Sequence, residues 1–155
     1  MSRLTKLAPG AAVLLPALVV LMLPTDLVAQ SANLTERRAR IESAIGITEQ
    51  LISEVRARAS GQRATSSSRC VSSEIALRNC LQGVRRDAAL ISDRAVAGEV
   101  DGQLDFLIGH AGSLLRGDNQ ANLSVMQSML NALQAEKEKI LQQLSQDSAA
   151  RRSTP

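Results

Sequence analysis

Leucine, methionine and isoleucine recur every three or four residues along the last long stretch of the chain. Leu123, Met126, Leu130, Leu133, Ile140 and Leu144 make the series, within residues 119–147. Lys137 is the polar member of that rhythm, and neither Pro nor Gly breaks it. The spacing predicts a long helix with one narrow apolar seam, which another helix must cover.

Upstream, Ile41, Ile45, Thr48, Ile52, Val55 and Ala59 repeat at alternating steps of four and three. Ile47 and Leu51 widen that seam on one flank and predict two neighbours. Asn33 followed by Glu36 has the spacing of a capping box, so the helix is expected to start near Asn33. Gly61 follows the last periodic residue and suits a left-handed helix end. The expected helix is about 40 Å long.

Residues 60–69 lack apolar periodicity and carry Ser66, Ser67 and Ser68, which predicts a connection. A second helix is expected to open at Ser72 or Ser73, with Leu77, Leu81, Val84, Ala88 and Ile91 as its seam. Gly98 and Gly102 predict a break or kink around residues 99–101. A third, shorter helix over residues 102–115 carries Leu104, Leu107, Ile108, Ala111, Leu114 and Leu115 on a broad face. Gly109 and Gly112 inside it suggest a neighbouring backbone at close range. Asp118 or Asn119 can cap the last helix. Residues 148–155 hold no apolar side chain larger than Ala and read as a frayed, disordered tail.

Three to four amphipathic helices joined by polar turns predict an all-α fold. It is either an antiparallel bundle or a long helical hairpin that dimerises. The helical domain is expected over residues 33–147.

The N-terminal segment changes this picture. Arg3 and Lys6 precede an apolar run over residues 11–23, and small residues follow. That is the layout of a secretory signal peptide covering residues 1–29, with cleavage near Ala29 to Ser31. A run of about 13 apolar residues is short of the roughly 20 that span a bilayer, so no stable membrane span is expected after cleavage. Export predicts a periplasmic or secreted protein.

Removing Arg3, Lys6 and Asp26 from 18 basic and 15 acidic residues leaves 16 and 14, a net charge near +2. Arg37, Arg38, Arg40, Arg56 and Arg58 alternate with Glu36, Glu42, Glu49 and Glu54. That mixture reads as a solvated helix face rather than a nucleic-acid footprint. Phe106 is the only aromatic side chain, so no stacking platform for bases or sugars is at hand.

Candidate chemistry is sparse. Cys70 and Cys80 are an even pair in a chain expected to be exported, which suggests a disulfide. Ten residues along one continuous helix separate their ends by about 15 Å, against a limit near 7 Å for a bridge. An internal bridge therefore requires Cys70 to lie outside the helix, with the chain folding back towards Cys80. An intermolecular bridge and free thiols are the alternatives. His110 is the only histidine, and with Asp105 and a cysteine it makes at most an incomplete metal set. Asp101 and Asp105, one helical turn apart, read as surface residues. No nucleophile elbow or phosphate loop is present. No catalytic residue, metal site or cofactor is expected. Lys137 reads as a side chain whose stem packs while its amine reaches water or a carboxylate. A register-setting role is the sharper alternative. Met126 reads as core, and Met129 as lying at the edge of the seam.

Leu34-Thr35-Glu36-Arg37-Arg38 and Ile47-Thr48-Glu49-Gln50 resemble the Leu-Thr-x-x-Gln motif of small periplasmic helical chaperones and stress or metal-response proteins. Arg38 stands where that motif has Gln. The second segment has Ile for Leu, and its Gln arrives one position early. The resemblance implies a periplasmic chaperone or a stress-binding protein. The residues themselves predict a non-enzymatic exported protein. Its helix seams would meet a protein partner or a second copy in the cell envelope, as an assembly component or homodimer.

Overall fold

The computed structural model describes residues 25–61, 69–116 and 120–152, with side chains from Gln30 onward. Most of the signal-peptide-like segment, residues 62–68 of the Ser-rich connection, the caps expected at Asp118 or Asn119, and residues 153–155 lie outside them. Every regular element among the described residues is helical. The order is α1 (Thr25–Ala59), a 3-10 turn (Arg69–Val71), α2 (Glu74–Ala88), α3 (Arg94–Gly109), α4 (Ala111–Arg116) and α5 (Gln120–Arg152).

Cross-helix pairs give the directions. Arg37 meets Glu136 while Arg56, further along α1, meets Gln127, so α1 and α5 are antiparallel. Arg40 meets Asp87 while Arg58 meets Val71, which sets α1 against α2 in the same sense. Lys139 meets Asp93 while Ser128 meets Gln103, which orients α3 against α5. Packing of α1 on α2, α2 on α3, α3 on α5 and α5 on α1 closes an up-down-up-down bundle. The short α4 sits at one end, against α1, α2 and α3.

The core is one apolar cluster of aliphatic and methionine side chains. Ile41, Leu51, Leu77, Leu81, Leu104, Leu107, Met126, Met129, Leu133 and Ile140 are essentially fully buried. Each large aliphatic side chain so placed contributes about 1.5–3 kcal/mol relative to exposure. As the widened seam of α1 predicts, that helix packs against two neighbours, α5 and α2.

Helix lengths differ in a way that shapes the molecule. α1 and α5 have 35 and 33 residues, whereas α2 and α3 have 15 and 16. At about 1.5 Å per residue the long pair runs about 50 Å and the short pair about 23 Å. The start of α1 and the end of α5 therefore project past the α2–α3 connection as a two-helix arm. Arg151 Nη2 donates to Ser31 Oγ at 3.0 Å along it. The fold is a four-helix bundle at one end and a bare α1–α5 helix pair at the other.

Several local expectations give way. Asn33 and Glu36 are exposed interior positions of α1, not a helix start. The break expected at residues 99–101 falls at residues 89–93. There Asp93 caps α3, its carboxylate accepting from Ala95 N at 2.9 Å and Val96 N at 3.3 Å. Gly98 and Gly102 lie inside a continuous α3 with open space around them. The helix expected over residues 102–115 is divided at His110. No backbone crowds Gly109, and the nearest group to a side chain at Gly112 would be the Glu74 carboxylate. α5 continues past Asp147 to Arg152, where a disordered tail was expected.

Other signals hold. Ser73 caps α2 by accepting from Ala76 N at 3.1 Å. Gly61 has φ 71° and follows α1, with its N–H donating to Arg58 O at 3.1 Å. Leu77, Leu81, Val84, Ala88 and Ile91 are all buried, Ile91 from the connection after α2.

Candidate functional site

On α5, two seams share one central row. Met126, Leu133 and Ile140 belong to both. The apolar pattern adds Leu123, Leu130, Lys137 and Leu144 on one flank. The fold also encloses the other flank, so Asn122, Met129 and Glu136 are buried together with Leu130, while Leu123, Lys137 and Leu144 are half-buried. Met129 is 0% exposed, a core residue rather than an edge one.

Glu136 is the polar centre of this arrangement, with its side chain 1% exposed. Its Oε1 accepts from Arg37 Nη2 at 2.9 Å, Ser92 N at 3.0 Å and Ser92 Oγ at 2.9 Å. Lys139 Nζ lies 3.9 Å from Oε2 and 3.7 Å from Asp93 Oδ2. Arg37 Nε also donates to Leu90 O at 3.1 Å. One carboxylate and one guanidinium thus tie α1, α5 and the α2–α3 connection together. A buried charge is tolerable only with such partners. No periodicity signal marks Glu136. It is simply the charged residue beside the one that the pattern selects.

Lys137 lies at the margin, its side chain 32% exposed, with Nζ 3.3 Å from Glu42 Oε1. This is the packed stem and carboxylate-seeking amine expected from the sequence. Arg38, whose Nε is 3.1 Å from Glu42, and then Lys137 hold the Glu42 carboxyl below its usual range. Thr48 is buried inside the α1 seam, and its hydroxyl donates to Ala44 O at 2.8 Å.

The displaced flank of α5 borders an open groove. Leu123 and Leu144 are half-buried, while Leu130 is nearly closed off. Three adjoining cavities of about 510, 650 and 520 Å³ are lined by α1, α5 and Ser60 just past α1. The first shares Glu49 with the second, and the second shares Arg56 and Gln127 with the third. They form one groove along α1 from Ile45 to Ser60, roughly 22 Å at helical rise. Its lining alternates aliphatic side chains with charges and amides, as recognition surfaces do.

The remaining candidates are accounted for structurally. Cys70 and Cys80 form an internal disulfide with Cα atoms 5.7 Å apart. Cys70 sits in the 3-10 turn, outside α2, as that bridge requires. Asp101 and Asp105 both pair with Arg85, with Asp101 Oδ1 2.8 Å from Nε. Asp105 and then Asp101 hold the Arg85 guanidinium protonated beyond its usual range. His110 follows α3, exposed, with its ring stacked on Phe106 at 4.2 Å and Nδ1 2.8 Å from Phe106 O. Among the described residues no group of three His, Cys, Asp or Glu side chains could hold a metal ion. Among them, too, no helix is long and apolar enough to cross a membrane.

Thr35 and Thr48, the threonines of the two chaperone-like segments, both lie inside α1. Each donates to the carbonyl four residues back, Ser31 O and Ala44 O. No protein-family model, no curated protein and no solved structure matches the chain.

Proposed function

We propose that this is a non-enzymatic exported protein that mediates protein–protein interaction or assembly in the cell envelope. The observation behind this reading is the α1–α5 groove. Half-buried Leu123 and Lys137 on the displaced flank of α5 line it, and the edges of the buried Leu130, Ile45 and Ile52 form its floor. A helix from a partner or a second copy would cover that groove. The signal-peptide-like N-terminal pattern and the disulfide support a periplasmic or secreted location. The chaperone reading has less to stand on. The large apolar side chains exposed among the described residues are Ile75, Leu90 and Phe106, and Ile75 and Leu90 lie at opposite ends of α2.

A photo-crosslinking side chain at Ser53 or Gln127, compared with one at Asn79 on α2, tests this in cells. A discrete adduct from the groove positions and none from Asn79 is expected. Equal labelling at all three positions would remove the proposal. Light scattering with refractive-index detection then separates self-association from a foreign partner, since the chain has no Trp or Tyr for ultraviolet detection.

A further inference from the structure

The bundle end opposite the two-helix arm is assembled around one guanidinium. Arg58 Nη2 donates to Val71 O at 2.7 Å, and Nη1 donates to Leu115 O at 3.0 Å. The last turn of α1 is thereby joined both to the 3-10 turn and to α4. Val71 is buried in the common core, and its turn packs on α2 and α1.

A three-residue 3-10 turn has little stability of its own, because too few hydrogen bonds offset the ordering of its backbone. This one is anchored covalently at Cys70 to Cys80, inside α2. Both cysteines are half-buried rather than sealed in the core. The bridge thus lies at the edge of the core, outside the fully enclosed layer that holds Val71.

We propose that the Cys70–Cys80 bridge is a redox-operated clasp on this end of the bundle. Oxidised, it holds the 3-10 turn over the core. Reduced, it lets the turn detach, so that Val71 leaves the apolar cluster and Arg58 keeps only its tie to α4. The reductant is an external dithiol. Its thiolate attacks one of the two sulfurs, the Cys70–Cys80 bond breaks, and the other sulfur departs as a thiolate. The second thiol of the reductant, as thiolate, resolves the mixed disulfide, leaving a cyclic disulfide. Two electrons pass to the protein, and its two thiolates take up protons from water. The proposal rests on the geometry of this end and is independent of the groove and of the location of the chain.

Hydrogen exchange by mass spectrometry on the full chain, with oxidised and reduced dithiothreitol, tests it. Amides of residues 69–73 are expected to exchange about ten to a hundred times faster after reduction, the range that loop-closure entropy allows. Mid-helix amides of α1 and α5 should be unchanged, and reoxidation should restore protection. The doubly substituted Cys70→Ser, Cys80→Ser protein should match the reduced one in both buffers. Unchanged protection at residues 69–73 would overturn the proposal by making the bridge passive. Loss of protection throughout α1 and α5 would also overturn it, by making the bridge a global staple. Failure of reoxidation to restore protection would exclude a reversible device.

Discussion

Arg37 and Glu136 are 99 positions apart in the chain and meet at 2.9 Å in the joint between α1, α5 and the α2–α3 connection. The carboxylate is almost wholly enclosed, while the guanidinium side chain keeps 18% of its exposure. Removing the cation leaves a buried charge with Ser92 and with the half-exposed Lys139, whose Nζ is 3.9 Å from Oε2. Arg37→Met should therefore lower stability by about 3 kcal/mol, near the bottom of the range for a broken buried pair. Replacing both, Arg37→Met with Glu136→Leu, should recover most of that loss. Urea unfolding followed by far-ultraviolet circular dichroism gives both values. A double variant no better than Arg37→Met would mean that Ser92, not Arg37, is the main partner.

Gly98 and Gly102 occupy interior positions of α3 with nothing within 4 Å of where a side chain would begin. Gly98→Ala and Gly102→Ala should each stabilise the protein by about 0.5–1 kcal/mol, because alanine restricts the unfolded chain and favours helix. Thermal melts of the two variants check this. A drop in melting temperature would mean that α3 needs the freedom to bend there.

Thr48 is fully buried and spends its hydroxyl on a carbonyl of its own helix. That carbonyl also accepts a backbone bond within α1, so deleting the hydroxyl strands no polar partner. Thr48→Val should change stability by less than about 1 kcal/mol in either direction, since both members of a modest bond are not left unpaired. A loss of several kcal/mol in urea titration would instead assign Thr48 a role in pairing α1 with its neighbours.

The backbone amides of Val96 and then Ala95 hold the Asp93 carboxyl below its usual range. A carboxylate with a depressed folded-state value stabilises the fold above the unfolded value of about 3.9. That contribution is lost as pH falls through the lower, folded value. Stability at the start of α3 should therefore stay flat from neutral pH to about 4 and decline below it. Asp93→Ser, which keeps a capping oxygen without the charge, should flatten this part of the profile. Nuclear magnetic resonance titration of the Ala95 and Val96 amides follows it directly. A transition centred above pH 4 would mean that the cap does not favour the ionised form.

Much of the architecture was legible as periodicity. The seam of α2, that of α1 as far as Val55, the Ser73 cap, the Gly61 helix end and the position of Cys70 outside α2 all follow from local spacing and backbone preference, whereas Ala59, the last member expected on α1, is exposed. These signals act within a few residues, so the chain states them directly. The α2–α3 break was misplaced because Gly98 and Gly102 are strong helix punctuators in isolation. Asp93, a single capping side chain, set the boundary instead, and packing of Val100, Leu104 and Leu107 carried α3 through both glycines.

The sequence by itself determined that the chain is helical, roughly where the long helices lie, and that Met126, Leu133 and Ile140 form the central row of α5. Only the tertiary structure decided which flank of that row turns inward. Apolar character favours the flank with Leu123, Leu130 and Leu144. Yet α5 must face α1 and α3 together, and the partners for Glu136 come from Arg37 and Ser92, far away in the chain. Long-range hydrogen bonds of that kind leave no periodic trace. They make a buried carboxylate acceptable where hydropathy alone would put it in water, and they leave Leu123 and Lys137 half-buried at the edge of an open groove.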